Sequence, residues 1–276
     1  MILSGNMTFI GGLPVPADHC ITSKDNPAVK LYLKLSSQKK ERQRYGLFVL
    51  EGLRIVEDAV QAGNVEKLFF TEDNFIAFSG EHDLSDIMDR VFIITPEIAR
   101  KISLTETTQG VFAVCRIRDC APVFTENGKY VVLYGLQDPG NVGTVIRTAD
   151  ALGIDGIFMC GSCDLYNPKT LRSTMGSVFR MPVMIVNNDD ELFGMLKENE
   201  VTTMAAVIDA DAVKITDIRP EGKRAVFIGN EGNGLSRETA DRCDTKVTIP
   251  MHGNINSLNA AMAAGILMWE ISRDKN

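Results

Sequence analysis

The sequence predicts two α/β domains joined by a short linker, and three observations carry that prediction. Apolar, strand-like runs alternate with amphipathic segments along almost the whole chain. A polar stretch rich in turn residues, RDCAPVFTENGK, interrupts this alternation. Beyond it the alternation becomes regular, which is typical of a mainly parallel sheet with helices on both faces. We therefore expect an N-terminal extension at 1–22, a smaller α/β domain at 23–118, a linker at 119–129 and a larger α/β domain at 130–276.

In the smaller domain, apolar spacing and turn residues define each element. Residues 28–44 have the spacing of a helix, and LRIVEDAVQAG at 53–63 has that of an amphipathic helix that Gly63 ends. Pro96 begins a further helix near 96–103, because proline is tolerated in the first turn. Strands are predicted at 46–51, 67–72, 91–95 and 110–117.

In the larger domain the same criteria give six strands and five helices. Parallel strands bind ligands at their carboxyl ends, so the loops that follow the strands are where chemistry is expected. The strands are predicted at 130–136, 154–160, 181–186, 202–208, 224–230 and 245–250. The helices are predicted at 141–153, 168–178, 190–197, 236–242 and 256–272.

The composition is that of an ordinary globular protein, with 276 residues of which 45% are apolar and 24% charged. No run of 18 apolar residues is present, and the N-terminal residues lack the basic start and apolar core of a signal peptide. We therefore expect a cytoplasmic protein that has no membrane partner. Its six cysteines are expected to be free thiols in a reducing compartment.

The segment CGSC at 160–163 has the cysteine spacing of zinc ribbons and redox proteins. A zinc site would need a second pair of ligands, and the histidines His19, His82 and His252 offer no paired spacing. We therefore expect two small, half-buried residues after a strand, and no metal.

The formal net charge of −7 does not indicate nucleic-acid binding, but residues 24–54 carry a local excess of five positive charges. Phosphate binding depends on where cations cluster and not on the total charge. A solvated helix face and an RNA-binding surface are equally compatible with this composition. The bases are Lys24, Lys30, Lys34, Lys39, Lys40, Arg42, Arg44 and Arg54, opposed by Asp25, Glu41 and Glu51.

Three predicted strand ends carry unusual loops. They are GLQDPGNVGTVIRTADALG at 135–153, GNEGNGLS at 229–236 and IPMHGNINSLNAAMAAG at 249–265. The first contains neither Gly-x-Gly-x-x-Gly nor Gly-Lys-Ser/Thr, and the second has no lysine for a phosphate. The dinucleotide and phosphate-loop signatures are therefore excluded.

The polar residues of these loops also have plain structural interpretations. Arg147 fits a surface position on a helix, Glu231 fits an acceptor of backbone N–H groups, and Asn259 fits a helix cap. Asn254, Asn256, Ser257 and Asn259 are more polar residues than one cap needs. Beyond them, Leu258, Met262, Ile266 and Trp269 form an apolar stripe that we expect to pack against another element or subunit.

Taken together, DPGNVGTVIRTADALG, FIGNEGNGLS and IPMHGNINSLNAAMAAG resemble the three motifs of the SpoU (TrmH-type) branch of the SPOUT RNA methyltransferases, in order and in spacing. The resemblance covers residues 130–272. It implies that the C-terminal segment threads a loop and forms a deep trefoil knot, which ordinary rules of chain topology would not propose. It also implies a homodimer and a bent S-adenosylmethionine held by the knotted loops.

The resemblance assigns site residues by motif position. The implied cofactor contacts are Gly229, Glu231, Ile249, Met251, Ser257 and Leu258. The implied catalytic residues are Asn141, Arg147, Glu231, Ser257 and Asn259. Arg147 is the family's usual candidate for activating a hydroxyl, but a guanidinium hardly deprotonates in proteins. We therefore expect Arg147 to grip the adjacent phosphate.

The N-terminal part is similar to the substrate-binding domain of this family, which resembles a small ribosomal protein. The similarity lies in VKLYLKLSSQKKERQRYGLFVLEGLRIVEDAV at 29–60 and TTQGVFAV at 107–114. It favours RNA binding by Lys24, Lys30, Lys39, Lys40, Arg42, Arg44 and Arg54. The whole resemblance implies methyl transfer to a ribose 2′-hydroxyl of structured RNA, foremost 23S ribosomal RNA. The alternatives are a tRNA methyltransferase and a catalytically silent RNA-binding paralogue.

Overall fold

The computed structural model describes residues 7–118, 120–209, 211–218, 221–251 and 257–273. The chain forms two compact units. The first comprises Met1–Arg118 with Tyr166–Pro168, and the second comprises Asp119–Leu165 with Lys169–Asn276. Two α/β units were predicted, and that fold class is confirmed. Within the described residues, no helix is both long and apolar enough to cross a bilayer.

The first unit is built on a five-stranded mixed sheet. Its strands are β3 (Cys20–Ile21), β4 (Leu47–Glu51), β5 (Val65–Phe70), β6 (Val91–Ile94) and β7 (Val111–Arg116), preceded by an antiparallel hairpin of β1 (Met7–Ile10) and β2 (Leu13–Pro16). The order in the sheet is β3-β6-β5-β7-β4, and β7 is antiparallel to both of its neighbours. Strands β4, β5 and β6 therefore end at the same edge of the sheet.

The described residues of the first unit form five α-helices, which depart from the predictions in two places. They are α1 (Pro27–Ser37), α2 (Lys39–Tyr45), α3 (Leu53–Gln61), α4 (Glu72–Glu81) and α5 (Pro96–Ile102). The single helix predicted at 28–44 is split at Gln38, whose backbone is extended. The strand predicted at 67–72 ends at Phe70, because Thr71 is already the N-cap of the unpredicted helix α4.

The start of α4 carries a sequence signal that the apolar pattern obscured. Thr71 is followed by Glu72 and Asp73, and acidic residues in a first turn favour a helix N-terminus. Phe75 and Phe78 then face the core. The apolar core of the first unit includes Val29, Tyr32, Leu35, Val49, Phe69, Phe112 and Val114.

The second unit is a seven-stranded parallel sheet with helices, as predicted. Its strands are β8 (Lys129–Tyr134), β9 (Gly156–Cys160), β10 (Val183–Val186), β11 (Thr202–Ala206), β12 (Val213–Lys214), β13 (Arg224–Ile228) and β14 (Thr245–Thr248). Its helices are α6 (Pro139–Ala151), α7 (Pro168–Thr174), α8 (Asp189–Glu198), α9 (Arg237–Arg242) and α10 (Ala260–Ser272). The short edge strand β12 was not predicted.

The strand order β10-β9-β8-β13-β11-β14-β12 explains where the loops meet. The chain runs outward from β8 to β10 and later returns to insert β13 beside β8. Such a reversal of strand order opens a crevice at the carboxyl ends of the two central strands. The loops that follow β8 and β13 are the first two motif loops, so the topology brings them together.

Helix α10 buries one face, which carries Leu267, Met268 and Ile271 beside two alanines, and exposes the opposite face. Ala261 and Ala264 are buried, whereas Met262 is 63% and Trp269 is 56% exposed. The stripe of Leu258, Met262, Ile266 and Trp269, which was expected to pack against another element or subunit, is exposed in the single chain, so its packing against a subunit stays a prediction. Helix α10 itself packs on α6 and β13.

Candidate active site

The first motif loop joins β8 to α6 and positions Asn141. Gly135 has a φ of +73°, which favours glycine, and turns the chain out of the strand. Asp138 is the N-cap of α6, and its Oδ1 accepts the Asn141 N–H at 3.0 Å. Helix α6 therefore begins at Pro139, two residues before the predicted start. This cap fixes Asn141 in the first turn.

The second motif loop is a tight turn that depends on Gly229. A Cβ at Gly229 would lie 2.3 Å from the Gly234 carbonyl carbon and the Leu235 nitrogen, so only glycine fits. Asn230 and Gly234 pair through two backbone hydrogen bonds of 3.1 and 2.8 Å. The Asn230 side chain closes the turn, since its Oδ1 accepts the Gly232 N–H at 2.9 Å. Gly229 therefore serves close backbone approach, and Gly234, with a φ of +65°, serves the turn.

Glu231 connects the second loop to the first. Its carboxylate accepts the N–H groups of Gln137 and Asp138 at 3.0 and 2.9 Å, and the Asn141 Nδ2 group at 3.1 Å. Partial burial raises the pKa of this carboxyl, but these hydrogen bonds together outweigh it and the pKa is lowered. The interpretation of Glu231 as an acceptor of backbone N–H groups is confirmed, although the donors belong to the neighbouring loop.

Asn259 connects the third loop to the same network. Its Oδ1 accepts the N–H groups of Ala261 and Met262 at 2.9 and 3.2 Å, which caps α10. Its Nδ2 donates to the Asn141 Oδ1 at 3.0 Å. One asparagine thus performs the capping that was expected and also joins the motifs. The chain of side chains Asn259–Asn141–Glu231 links loops that are far apart in the sequence.

A cleft of about 640 Å³ opens beside this network, at the carboxyl ends of β11, β13 and β14. All six residues predicted to contact a cofactor line it, namely Gly229, Glu231, Ile249, Met251, Ser257 and Leu258. Asn141 and Asn259 are not among its lining residues. The predicted polar residues Asn254 and Asn256 lie outside the described residues, as does the connection 252–256 on which the predicted knot depends.

The end of β11 contributes a wall that the sequence analysis missed. Residues 206–209 line the cleft, and Asp209 places a carboxylate there. The available signal was position, because Asp209 directly follows the strand predicted at 202–208. In the structure it lies three residues beyond the end of β11, which pairs with β13. An acid after a strand is common in turns, so that position alone did not distinguish it.

Arg147 does not belong to the network. It lies on α6, is exposed, and has no hydrogen-bond or ion-pair partner among the described residues. Six residues separate it from Asn141, and at 3.6 residues per turn this spacing turns the two side chains to different faces. An unpaired guanidinium on a surface remains available to a polyanionic ligand.

The CGSC segment at 160–163 is not a reactive pair. Burial, with a hydrogen bond to Asp189, raises the pKa of the Cys160 thiol to about 11, and burial raises that of Cys163 as well. Thiols that stay protonated are poor nucleophiles and poor metal ligands. Among the described residues, one group could supply three metal ligands, Glu57, Glu81 and His82 of the first unit. Within this group the His82 Nε2 lies 3.3 Å from the Glu57 Oε1.

The basic segment 24–54 loses much of its charge to local partners. Lys24 is paired with Glu97, and Lys30 with Asp25 at 2.8 Å. Arg42 is 4% exposed and donates to the Leu35 carbonyl, so it joins α1 to α2 and is not available to a ligand. Arg44 lies 4.0 Å from Glu41 and over the Tyr45 ring.

Three of the predicted RNA-binding residues remain exposed without a described partner: Lys39, Lys40 and Arg54. Of the nearby aromatic residues, Phe48 and Tyr32 are buried. Tyr45 is 44% exposed. The cationic surface of this segment is therefore smaller than its composition indicates.

Comparison with known proteins agrees with this geometry. The profile of the SpoU rRNA Methylase family matches residues 128–269, and that of the MRM3-like substrate binding domain matches residues 26–113. The chain is 32% identical over 253 residues to the 23S rRNA (guanosine(2553)-2′-O)-methyltransferase RlmP of Bacillus subtilis, covering 91% of this chain and 98% of that one.

Two further relatives cover both units. The 23S rRNA (uridine(2479)-2′-O)-methyltransferase of Streptomyces viridochromogenes is 30% identical, over 96% of this chain and 95% of its own. The crystal structure of an AdoMet-bound rRNA methyltransferase from Sinorhizobium meliloti superposes with a TM-score of 0.78 at 32% identity, over 91% of this chain and 96% of that chain.

Proposed function

We propose that this chain, which belongs to the SpoU rRNA methylase family, transfers a methyl group from S-adenosylmethionine to a ribose 2′-hydroxyl of 23S ribosomal RNA. The observation that carries this proposal is the convergence of the three motif loops. Glu231, Asn141 and Asn259 join them by side-chain hydrogen bonds beside a cleft of cofactor size. The relatives of known specificity named above act on the ribose of 23S rRNA.

The cleft suits S-adenosylmethionine in size and in lining. Its volume of about 640 Å³ lies within the range of small-molecule sites. Ile249, Leu258 and Met251 offer apolar contacts for an adenine ring, and the glycine turn at 229–234 lets backbone groups approach closely. Asp209 offers an acceptor for the ammonium group or a ribose hydroxyl of the donor. The residues present therefore fit the donor.

The chemistry needs positioning more than it needs a metal. When bound, the sulfonium group supplies an electrophilic methyl. The protein's task is to align the acceptor oxygen with that methyl, and alignment contributes roughly 7–11 kcal/mol of a barrier. The hydroxyl proton leaves to solvent as S-adenosylhomocysteine forms, and help with its removal adds a factor of about 10²–10⁴. The Asn259–Asn141–Glu231 network holds the loops in one geometry, so we assign it to positioning.

We assign Arg147 to the RNA phosphate next to the reacting ribose. Its exposed, unpaired guanidinium is always charged and binds phosphate in a bidentate manner. A phosphate held there places the 2′-hydroxyl and offsets the charge that develops on its oxygen. The Arg147→Ala variant should retain affinity for S-adenosylmethionine and lose about 100-fold or more of methyl transfer. Near-normal transfer of tritiated methyl by this variant, with Lys197→Ala as the control, would rule out the assignment.

We also propose a homodimer and a knotted C-terminal segment. The exposed apolar stripe of Leu258, Met262, Ile266 and Trp269 begins at the cleft and runs along α10. A contiguous apolar surface of this kind is typical of a protein interface. A second copy seated on it would close the cleft near Leu258. Ribosomal RNA as substrate supports the cytoplasmic location that the sequence predicts.

The first unit is proposed to bind the RNA substrate. Its match to a substrate-binding domain supports this role, and the exposed cations Lys39, Lys40 and Arg54 supply phosphate contacts. Relatives that share both units and are named for a ribosomal nucleotide favour rRNA over tRNA. The intact network of Asn141, Glu231 and Asn259 favours an active enzyme over a silent paralogue.

Ribose-methylation mapping tests the function directly. In a strain deleted for this gene, 23S rRNA should lack one 2′-O-methylated nucleotide, and the purified protein with S-adenosylmethionine should restore it. Arg147→Ala protein serves as the matched control for RNA handling. Complete methylation of 23S rRNA in the deleted strain, or a new methyl on a base, would contradict the proposal.

A further inference from the structure

The first unit contains a second cleft, of about 550 Å³, that no part of the methyl-transfer site explains. It lies where β5 and β6 end and β7 begins, and its walls include Leu53, Asp73, Arg100 and Gln109. The carboxyl ends of parallel strands are the usual position of ligand sites in α/β folds. The volume also lies within the range of sites that hold small molecules.

Hydrogen bonds join the residues that line this cleft. The Gln109 Oε1 accepts the Leu53 N–H at 2.9 Å, and the Asn74 Nδ2 donates to the Thr71 Oγ1 at 2.6 Å. Gly110 has a φ of +65°, and a Cβ there would lie 2.6 Å from the Asn74 Nδ2. A side chain at this position would displace Asn74 and Thr71, so glycine preserves the arrangement of these two lining residues.

The lining combines three kinds of recognition group. Arg100 is an exposed cation and Asp73 an exposed carboxylate, and neither forms a hydrogen bond or salt bridge with a described residue. Leu53 is 41% exposed and offers an apolar edge. A ligand that satisfies all three carries an anion, hydrogen-bond donors and a flat apolar face. A nucleotide has these properties together.

We propose that this cleft binds one unpaired nucleotide of the RNA substrate. Arg100 holds its phosphate, Leu53 contacts the face of its base, and Asp73 accepts hydrogen bonds from the base edge. Guanine suits Asp73 best, because its N1–H and N2–H₂ groups are adjacent donors and an ionised carboxylate only accepts. Sequence-specific recognition of RNA uses unpaired bases in this way. The proposal rests on the proposed function for the identity of the ligand as RNA.

Saturation-transfer NMR with GMP tests the cleft without methyl transfer. The full chain is first saturated with S-adenosylhomocysteine, so that the cleft of the second unit is occupied. GMP should then receive saturation from the wild type and from Lys101→Ala, an exposed neighbour that does not line the cleft. Arg100→Ala should reduce the GMP signal about tenfold, and Asp73→Asn should reduce the preference for GMP over UMP. No GMP signal in the wild type, or equal signals from Arg100→Ala and Lys101→Ala, overturns the proposal.

Steady-state kinetics with 23S rRNA from the deleted strain test whether the cleft contributes to RNA binding during methyl transfer. Arg100→Ala should raise the KM for RNA about tenfold with kcat within about twofold, and Lys101→Ala should change neither beyond about twofold. A lower kcat with an unchanged KM contradicts a binding role. If the wild type transfers no methyl group, the proposed function fails, whereas the GMP signals still decide whether the cleft binds a nucleotide.

Discussion

The motif loops of the second unit and the basic segment of the first unit were both singled out by the sequence, and they fare differently in the structure. The loops converge, because Glu231 and Asn259 both reach Asn141. The cations of the basic segment do not form one exposed surface, because Lys24 and Lys30 are paired and Arg42 is buried. A cluster of charges along a chain therefore predicts a charged surface poorly.

The difference has a physical cause. Backbone geometry requires the residues of the loops. Gly229 permits a contact that no side chain allows, and Asn259 accepts hydrogen bonds from free N–H groups of a helix. Such requirements are local and can be inferred from residue type. A lysine has no comparable requirement, and its long side chain takes whichever acid lies within reach. Its partner, as for Lys24 and Glu97, can be 73 positions away.

Among the variants that compare the two regions, we expect the largest effect from Gly229→Ala in the second motif loop. The new methyl group would lie 2.3 Å from the backbone at 234–235, so the turn must open and the cleft must change shape. We expect the affinity for S-adenosylhomocysteine, measured by calorimetry, to fall about 30-fold or more. Gly232→Ala is the matched control, because its nearest neighbour is 3.5 Å away. Equal affinities in the two variants would contradict a geometric requirement at 229.

Asn259→Asp separates helix capping from the network, with a smaller expected effect. Aspartate caps a helix as well as asparagine does, so the melting temperature should change little. It cannot donate to the Asn141 Oδ1, and it adds a charge near Glu231. We expect methyl transfer to fall about tenfold. Asn259→Ala should lower both transfer and stability, and unchanged transfer in Asn259→Asp would leave capping as the sole role.

Much of the second unit was predictable because regular alternation of strands and helices is compatible with few folds. Each predicted strand is present, and the deviations are mostly at element ends, as with α6 beginning at Pro139. The unpredicted β12 has only two residues and lies at the sheet edge. In the first unit, helix α4 was missed because the spacing of its buried residues Phe75 and Phe78 does not distinguish a helix from a strand. The hairpin of β1 and β2 was missed because its residues are short runs with little alternation.

The residues of the hydrogen-bond network could be named from the sequence, but their arrangement could not be predicted. Motif position named Glu231, but only the fold shows that its donors are Gln137 and Asp138. Arg147 and Asn141 were assigned to one site from one motif, and they occupy different faces of α6. The order of the loops in the sequence does not show which of them lie side by side in a sheet whose strand order reverses.

The free and paired lysines of the basic segment should differ in RNA binding by a few-fold. Lys39→Ala combined with Lys40→Ala removes two unpaired cations, and we expect an approximately fivefold loss of affinity with a shallower salt dependence. Lys24→Ala combined with Lys30→Ala removes the same charge from existing ion pairs. Filter binding to 23S rRNA at several salt concentrations measures both. An equal loss in the two double variants would mean that total charge, and not its pairing, decides binding.

The smallest expected effect concerns pH and Glu231. Its pKa is lowered in the folded protein, so its contribution to stability is present above the unfolded-state pKa of about 4.3 and is lost as the pH falls through the folded value. The free energy of unfolding in urea should therefore exceed that of Glu231→Gln at pH 7, and the gap should narrow below about pH 4.3. Glu238→Gln, an exposed residue of α9, is the control. A gap that is independent of pH would contradict a stabilised carboxylate.

A crystal structure with S-adenosylmethionine tests whether three loops that are distant in the sequence form one methyl-donor site. We expect the donor in the cleft of the second unit, in contact with Gly229, Ile249 and Leu258. Its methyl group should face the side on which Arg147 lies. A donor bound outside these three loops, or bound without contact to the turn at 229–234, would show that the loops do not form the donor site.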